Sequence, residues 1–271
     1  MAYYLGIDIG GTKIKAALFN GLGKQKPRLL FIDTPKNKKN FLRGLDIFIT
    51  EILAKSDFPK KSDFGGVGVG VPGTVDPQKG VLLRAKNLPF LNGWNVKKFF
   101  QKYSLRVKVD NDSRCMIRAE AAWGVARGHK NVVGLAIGTG IGGGIIIDGK
   151  IYRGSRNIAG EFGHTIIHAP HAKFPVQSLE ELAGKSAFEK YGDRSEIVGM
   201  GVVNLIRSFD PDIVVLGGGG VASGAVKIDK VRRFVKNYIR SPYVRKTRIV
   251  KGKLGDEAGA MGAVLLFRGG T

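Results

Sequence analysis

Two β-hairpins with glycine-rich tips restrict most strongly how this chain can fold. Apolar, β-rich residues flank Gly10-Gly11-Thr12 on both sides, and similar residues flank Gly138-Thr139-Gly140. Glycine between two such runs is typical of a hairpin turn. We call these segments the first and the second glycine turn. Because the same unit occurs twice, the sequence predicts an internally duplicated α/β architecture.

Further segments support an α/β fold. Apolar residues at helical spacing predict helices, and short apolar runs that end at glycine or an acidic residue predict buried strands. The predicted helices lie at residues 42–53, 119–125, 197–209 and 258–267. The predicted strands outside the hairpins lie at residues 66–71, 107–109 and 213–216. The loop at residues 169–177, with two prolines, is expected to be mobile.

Composition is that of an ordinary globular protein. Of the 271 residues, 43% are apolar, and no run approaches the roughly 20 apolar residues that a membrane span needs. The first residues form a strand pattern without a basic signal-peptide region. A single cysteine, Cys115, excludes an intrachain disulfide and is consistent with a reducing compartment. We therefore expect a cytoplasmic protein without a membrane partner.

The charge is strongly basic. Forty-four Lys and Arg residues against 22 Asp and Glu residues give a net charge of +22. Residues 227–253 alone hold eleven basic residues and one acid, Asp229. Two interpretations remain open for this segment: a solvated basic helix and strand, or a site for nucleic acid or polyphosphate.

The first glycine turn has the residues that a phosphate site needs. Asp8 stands at the end of a strand, where it can hold Mg²⁺ directly or through water. Gly10 and Gly11 allow backbone N–H groups to approach a phosphate, and Thr12 and Lys13 follow. A plain hairpin turn without a ligand is the alternative. The recurrence of the same glycine-rich unit at the second glycine turn argues against this alternative. The spacing matches neither a Walker A motif nor a dinucleotide-binding helix start.

A series of motifs in one order resembles the ROK family of sugar kinases and repressors, within the actin-like ATPase superfamily. The resemblance covers most of the chain. Its motifs are Asp8-x-Gly10-Gly11-Thr12-Lys13, Gly70-Val71-Pro72-Gly73, Asn87-Leu88 with Trp94, Asn111-Asp112, Ala119-Glu120, Gly138-Thr139-Gly140, Gly160-Glu161-Phe162-Gly163-His164 and Leu216-Gly217-Gly218-Gly219.

The resemblance implies an architecture and an activity. It implies the two-lobed actin-like ATPase (ribonuclease H-like) α/β fold with a central cleft. One lobe would span residues 1–110 and be joined by a C-terminal helix at 258–271, and the other would span 111–257. The activity would be ATP-dependent phosphorylation of a hexose, with glucose first and N-acetylmannosamine, N-acetylglucosamine or fructose as alternatives.

Asp112 matches the catalytic base of the family. A carboxylate beside the sugar hydroxyl orients it and accepts its proton. From spacing alone, Asp112 could instead be the N-cap of a helix over residues 113–123. The resemblance also implies a set of sugar-binding residues, with Glu181 as a neighbouring alternative to the last of them: Gly73, Asn87, Asn111, Asp112, Glu161, His164 and Glu180.

The resemblance places the nucleotide on both glycine turns and on a third glycine segment. Thr139 and Gly140 would bind the β- or γ-phosphate, and Gly217, Gly218 and Gly219 would pack against adenosine. The role of Lys13 is left open. It lies on the returning strand of its hairpin, where its side chain could bind phosphate or face solvent.

Departures from the family pattern limit other inferences. Many members hold zinc with three cysteines and a histidine, but residues 166–179 contain no cysteine. We therefore predict no structural zinc, with a cluster of His164, His168 and His171 as the alternative. The segment from Glu180 to Asp210 is shorter than in typical members. The homodimer that the resemblance implies would be weaker or different if the missing helices form its interface.

Two other functions compete with an ATP-dependent hexokinase. A polyphosphate-dependent glucokinase is favoured by the basic charge, the compact chain and the missing cysteines. Against it, the Gly10-Gly11-Thr12-Lys13 turn resembles the ATP-dependent members more. A sugar-responsive repressor is disfavoured, because the first phosphate loop starts at Gly6 and leaves no room for a helix-turn-helix before it. No specific nucleic-acid partner is expected, although residues 227–253 could bind DNA non-specifically.

Overall fold

The computed structural model describes residues 2–23, 28–54, 63–168, 176–242 and 246–268. By contacts, the chain divides into two units, Met1–Met116 with Glu257–Thr271, and Ile117–Asp256. The division falls inside a helix, between Met116 and Ile117, whereas we predicted the boundary after residue 110. The loop predicted to be mobile, residues 169–177, lies almost wholly outside the described residues.

The first unit is built on a mixed sheet. The sheet order is β3-β2-β1-β4-β8, with β1 antiparallel to β2 and parallel to β4. The same unit contains a smaller sheet with the strand order β5-β6-β7. The strands are β1 (Tyr3–Ile9), β2 (Lys13–Asn20), β3 (Arg28–Asp33), β4 (Phe64–Val71), β5 (Thr74–Asp76), β6 (Val81–Arg84), β7 (Trp94–Asn95) and β8 (Val107–Asn111). The helices are α1 (Lys38–Ala54), α2 (Val96–Gln101), the start of α3 (Asp112–Trp123), and α9 (Ala258–Val264).

Helix α9 packs directly on the backbone of β1 and β4. All seven of its residues are buried. A Cβ at Gly6 of β1 would collide with the Ala260 carbonyl, and one at Gly68 of β4 would collide with the Ala263 carbonyl. Glycine at these two positions, with small residues on the helix, allows this close approach. The last residues of the chain thus complete the core of the first unit.

The second unit repeats the plan of the first. Its sheet order is β11-β10-β9-β14-β15, again with a central strand antiparallel to its hairpin partner and parallel to the strands on its other side. The strands of this sheet are β9 (Val132–Ile137), β10 (Ile141–Ile147), β11 (Lys150–Tyr152), β14 (Ile213–Gly217) and β15 (Arg248–Lys251). A second pair is β12 (Ile166–His168) with β13 (Gln177–Ser178). The helices are the rest of α3, then α4 (Leu179–Ala183), α5 (Lys185–Tyr191), α6 (Ser195–Phe209), α7 (Gly219–Ala222) and α8 (Ile228–Tyr238).

Both predicted hairpins are confirmed. Residues Ile9 and Ile14 pair across the first glycine turn, and Ile137 and Ile141 pair across the second. The matching order of the two sheets is the duplication that the sequence indicated. The helices predicted at 42–53 and 197–209 and the strands predicted at 66–71, 107–109 and 213–216 are also present.

Two predicted helices have different bounds. The helix expected at 119–125 begins at Asp112, because Asn111 supplies its N-terminal cap, and ends at Trp123. The C-terminal helix expected at 258–271 ends at Val264, and residues Leu265–Phe267 form a 3₁₀ turn. The centroid of the Phe267 ring, in this turn, lies 5.2 Å from that of the Tyr4 ring.

No helix in the described ranges is long and apolar enough to cross a membrane.

Candidate functional site

The first glycine turn is closed by backbone hydrogen bonds that use some of its polar groups and leave others available. Gly10 N–H closes the turn on the Lys13 carbonyl at 2.9 Å. The carbonyls of Gly10 and Thr12 accept bonds from the side chain and the backbone of Thr34, at 2.7 and 2.9 Å. Within the described residues the N–H groups of Gly11 and Thr12 have no protein acceptor. These two donors are therefore free to bind a phosphate oxygen.

Two lysines stand near this turn, and only one of them points to it. The Lys13 ammonium lies 4.1 Å from the centroid of the Phe31 ring, on the face of the sheet. Lys36, which follows β3, places its ammonium 3.2 Å from the Gly11 carbonyl. Sequence analysis did not select Lys36, because only the pairing of β3 with β2 brings it to the turn. The Lys13 ammonium thus packs on an aromatic ring, whereas the Lys36 ammonium reaches the turn.

Asp8, near the end of β1, packs its carboxylate against the start of α9. Its carboxylate packs so closely on Gly259 that a Cβ there would come within 2.9 Å of Asp8 Oδ1. Any other residue at 259 would displace the carboxylate. A half-buried carboxylate at a strand end, next to free backbone donors, is a suitable ligand for Mg²⁺, either directly or through water.

The junction of β8 and α3 is fixed by a buried network. Asp110 Oδ1 accepts from the Asn111 N–H at 2.9 Å and from Arg114 Nε at 2.8 Å. Asn111 Oδ1 accepts from the Arg114 N–H at 3.0 Å, which makes Asn111 the N-cap of α3. Asn111 Nδ2 donates to the Gly73 carbonyl at 3.0 Å. Asn111 therefore holds the backbone of this junction in place, and its side-chain oxygen, Oδ1, already accepts a hydrogen bond from the Arg114 N–H.

Asp112 is the half-exposed residue of this junction. Asn111 before it and Ser113 after it are buried, whereas Asp112 is partly open. Its Oδ1 accepts from the Ser113 N–H at 2.7 Å and lies 3.3 Å from Ser113 Oγ. The N-cap role that was the alternative for Asp112 belongs to Asn111. The Asp112 carboxylate is thus held in one orientation at the carboxyl edge of two parallel strands, β4 and β8, where ligands commonly bind.

The other predicted sugar-binding residues of the first unit differ in their surroundings. Gly73 has φ +79° and packs its Cα against Arg84 and Ala85, so a side chain there would be strained and blocked. Asn87 is exposed on the loop after β6, and its side chain makes no hydrogen bond to any residue of the described ranges. The structure connects Gly73 to the Asp112 junction through Asn111, but it gives Asn87 no such link.

The second glycine turn has the same design as the first. Gly138 N–H closes on the Gly140 carbonyl at 2.8 Å, and the N–H groups of Thr139 and Gly140 have no acceptor in the described part of the chain. Gly218, at φ +86°, packs on the backbone of Ile137, the last residue before this turn. Thr139, Gly140 and the segment 217–219 therefore lie together at one end of the second sheet.

Glu161 and His164 lie on a short 3₁₀ turn, Phe162–His164, that rests on β10. Phe162 is buried, and a Cβ at Gly163 would collide with the Ile141 carbonyl. The Glu161 Oε2 and His164 Nε2 atoms are 3.9 Å apart, and both side chains are partly exposed. The turn thus presents a carboxylate and an imidazole next to the start of β10.

Glu180 reaches the same place from α4. Its Oε2 accepts from the Ile141 N–H at 2.8 Å. Glu181 points elsewhere and forms a capping box with Ser178, accepting from its N–H and Oγ at 2.8 Å each. The structure thus separates the two glutamates: Glu180 contacts Ile141, on whose carbonyl the turn with Glu161 and His164 packs through Gly163. The Ser178-x-x-Glu181 spacing is a capping-box signal that sequence analysis could have used.

The described residues contain no group of three or more His, Cys, Asp or Glu side chains placed to hold a metal ion. His171, one member of the alternative zinc cluster, lies outside the described residues. The absence of structural zinc therefore stays a prediction.

Residues 4–191 and 172–269 match the family model described as the ROK family. The chain belongs to the ROK family. It is 28% identical to an N-acetyl-D-glucosamine kinase of Aliivibrio salmonicida over 97% of this chain and 99% of that protein.

Solved ROK structures have the same fold. A ROK family glucokinase from Streptomyces griseus, in complex with glucose and AMPPNP, is 25% identical, with a TM-score of 0.83 over 99% of this chain and 100% of that one. An inorganic polyphosphate/ATP-glucomannokinase from Arthrobacter sp. strain KM is 26% identical, with a TM-score of 0.77 over 98% of each chain. The chain therefore has the α/β actin-like ATPase fold of ROK sugar kinases.

Proposed function

We propose that the protein transfers the γ-phosphoryl group of ATP to a hydroxyl of a hexose, with glucose as the first acceptor and glucose 6-phosphate as the product. As a ROK member whose named relatives are sugar kinases, the protein is a phosphotransferase with an alcohol group as acceptor. The donor proposal is supported by the Streptomyces griseus structure, because AMPPNP is an analogue of ATP.

The observation that carries the proposal is the setting of Asp112. Its carboxylate is half-exposed between buried neighbours, and the Ser113 N–H holds it at 2.7 Å. Phosphoryl transfer requires mainly positioning and charge stabilisation, with a carboxylate to accept the proton of the attacking hydroxyl. We assign this role to Asp112, with Asn111, Asp110 and Arg114 as the residues that position it.

The two glycine turns would hold the phosphates. Gly11 and Thr12 in the first unit and Thr139 and Gly140 in the second offer backbone N–H donors without a protein acceptor among the described residues. We add Lys36 to this set in place of Lys13. Asp8 would hold Mg²⁺, which supplies charge neutralisation on the triphosphate when bound.

Sugar selection is assigned to the carboxylates and the imidazole near Ile141. Glu161, His164 and Glu180 can accept from or donate to several hydroxyl groups, and such pairs distinguish epimers because a misplaced hydroxyl leaves a polar group unpaired. Gly73 would contribute by allowing close approach of its backbone. Asn87 remains a proposed sugar contact without a structural link.

Asp112→Asn tests the proposal. The amide keeps the oxygen that accepts from Ser113 but cannot take a proton, so kcat should fall by about 10³-fold while the dissociation constant for the sugar changes little. The measurements are a coupled phosphorylation assay and titration calorimetry with sugar. Asp229→Asn, on an exposed carboxylate of α8, is the control. Near-normal turnover of Asp112→Asn would refute the role.

The identity of the sugar is the finer part of the proposal. The Aliivibrio salmonicida relative is named for N-acetyl-D-glucosamine, so N-acetylglucosamine is the second candidate, with N-acetylmannosamine and fructose behind it. Comparing kcat/KM for these four sugars at saturating ATP decides between them. An N-acetylated sugar with the highest kcat/KM would replace glucose in the proposal.

Inorganic polyphosphate is the alternative donor. It is supported by the net charge of +22 and by the likeness to the Arthrobacter glucomannokinase. Assaying glucose phosphorylation with ATP and with polyphosphate at equal phosphoryl concentration separates the two donors.

We also propose that the protein is a cytoplasmic homodimer. Size exclusion with light scattering would test the homodimer by measuring the molecular mass in solution.

A further inference from the structure

Helix α8 and strand β15 form a basic surface that the proposed kinase reaction does not use. The helix carries Lys230, Arg232, Arg233 and Lys236 against a single acid, Asp229. Its buried face is formed by Val231 and Val235, so the charged residues cover the rest of its circumference. Two hollows, of about 420 and 450 Å³, flank the helix on opposite sides. We call this surface the α8 basic surface.

Part of its charge is neutralised within the protein, and part is not. Lys230 forms an ion pair with Asp193 at 2.8 Å, and Arg232 pairs with Asp229 at 3.0 Å. Arg233, Lys236 and Arg240 are exposed and have no acidic partner in the described ranges. Arg233 and Lys236, at positions i and i+3, are neighbours on the exposed face of α8, and Arg240 follows just after the helix ends. These three cations offer a basic track for a polyanion.

An aromatic platform adjoins this basic track. The rings of Phe234 and Tyr238 stack with centroids 6.1 Å apart and planes at 7°. Phe234 packs on Gly199 of α6, where a Cβ would lie 2.9 Å from its ring, and this contact supports the platform from below. Tyr238 is 67% exposed. Asn237, with an amide that can both donate and accept, lines the same hollow.

We propose that the α8 basic surface binds single-stranded nucleic acid without sequence specificity. Phosphates would lie along Arg233, Lys236 and Arg240, and an unpaired base would stack on Tyr238. A basic track next to an exposed aromatic ring is the arrangement by which proteins hold single strands. Bare polyphosphate has no base to stack, and the like charges of two such surfaces oppose pairing of two copies of the chain.

The test uses the whole protein and does not depend on sugar phosphorylation. The probe is a fluorescein-labelled oligouridine of about 16 nucleotides, a length within the site size of one single-strand-binding fold. Fluorescence anisotropy between about 50 and 200 mM NaCl should show binding that weakens steeply with salt. Inorganic polyphosphate is titrated in parallel as the competing chemistry.

Two variants and two matched controls separate the contributions. Arg233→Gln/Lys236→Gln/Arg240→Gln should weaken oligouridine binding by about tenfold at low salt and reduce the log–log salt slope by about 2. The control Lys38→Gln/Lys39→Gln/Arg43→Gln removes three exposed charges from α1 and should leave binding unchanged. Tyr238→Ala should weaken oligouridine binding by about fivefold or more but leave polyphosphate binding unchanged, and Tyr152→Ala, at an exposed tyrosine of β11, should alter neither.

Several outcomes would overturn the proposal. Equal losses in the α8 and α1 triple variants would mean that total charge, and not this surface, determines binding. Oligouridine binding that is unaffected by Tyr238→Ala would assign the surface to bare phosphate chains. Light scattering that showed a dimer lost in the α8 triple variant would assign the surface to a second copy of the chain. Thermal melting of each variant confirms that it is folded.

Discussion

At the residue scale, Lys36 and Lys13 differ in where their side chains are directed. Both lysines are close to the first glycine turn in the structure, but one ammonium lies beside the Gly11 carbonyl and the other lies over the Phe31 ring. An ammonium next to free backbone N–H donors adds charge to a phosphate site. An ammonium held over an aromatic ring is engaged elsewhere.

Lys36→Ala should therefore raise the KM for ATP by about tenfold, the loss expected for one hydrogen bond to a charged group. Lys13→Ala, which removes the same charge from the same hairpin, should leave the KM for ATP within about twofold. Steady-state kinetics at saturating sugar measures both. If Lys13→Ala gave the larger change, the assignment of Lys36 would be reversed.

Glu180 and Glu181 offer a second pair at this scale. Glu180→Gln keeps the bond from the Ile141 N–H but loses the charge that would hold sugar hydroxyls, so the KM for sugar should rise about tenfold with little change in stability. Glu181→Ala removes the capping box of α4 and should lower the free energy of unfolding by about 1 kcal/mol without changing that KM. Kinetics and urea unfolding of both variants check this. A sugar KM raised only by Glu181→Ala would contradict it.

Sequence analysis found the Asn111-Asp112 pair and offered the helix cap only as the alternative role of Asp112, whereas Asn111 holds that cap. The exact residue at which β8 leaves the sheet decides which side chain caps α3, and no local pattern specifies that. The Asp110–Arg114 pair and the contact of Lys36 with Gly11 were missed for a similar reason, because both depend on how neighbouring chain segments pack. The sequence thus predicts which hydroxyl, amide and carboxylate groups the candidate site contains. It does not predict the direction in which each side chain points.

At the scale of elements, α6 depends on an acidic residue just before its first turn. Asp193 Oδ1 accepts from the Ser195 N–H at 2.9 Å, and Lys230 of α8 lies 2.8 Å from Asp193 Oδ2. The Lys230 ammonium, and then the Ser195 hydroxyl, hold the pKa of Asp193 well below its usual range. One carboxylate thus joins the start of α6 to α8.

Asp193→Asn should lower the free energy of unfolding by about 1 kcal/mol at pH 7. Because the pKa of Asp193 is lower in the folded state, its contribution is complete above the unfolded pKa of about 3.9 and is lost as the pH falls toward the folded value. The difference between wild type and variant should therefore shrink below about pH 4. Urea unfolding at pH 7 and below about pH 4 measures this difference in the free energy of unfolding, with Asp229→Asn as the control. An equal difference at both pH values would exclude the charge as its cause.

The elements themselves were largely predictable. Hairpins, the long helices and the buried strands follow from hydrophobic periodicity, which is strong in these segments. The ends of α3 and α9 were not predictable, because a capping asparagine and the packing of Phe267 on Tyr4 set them. The 3₁₀ turn that holds Glu161 and His164 forms because Phe162 is buried against β10, which a short turn sequence does not reveal.

At the scale of the whole molecule, the net charge of +22 opposes compaction. Self-repulsion of like charges destabilises a folded chain, and salt screens it. Raising NaCl from about 50 to 500 mM should therefore raise Tm by about 2–4 °C, which corresponds to about 1 kcal/mol for a chain of this size.

Differential scanning calorimetry measures this shift, and the α1 triple variant provides the comparison. Removing three positive charges should reduce the salt response, because less repulsion remains to be screened. A Tm that falls as NaCl is added would mean that favourable ion pairs outweigh repulsion in the folded protein.

The placement of α9 has a consequence for synthesis. The helix that covers Gly6 and Gly68 emerges from the ribosome only after all of the second unit. Until then, the sheet of the first unit lacks the helix that covers its backbone at these two glycines. A nascent chain stalled near its end would carry one finished half and one open half, and protein quality control could recognise it by that exposed face alone.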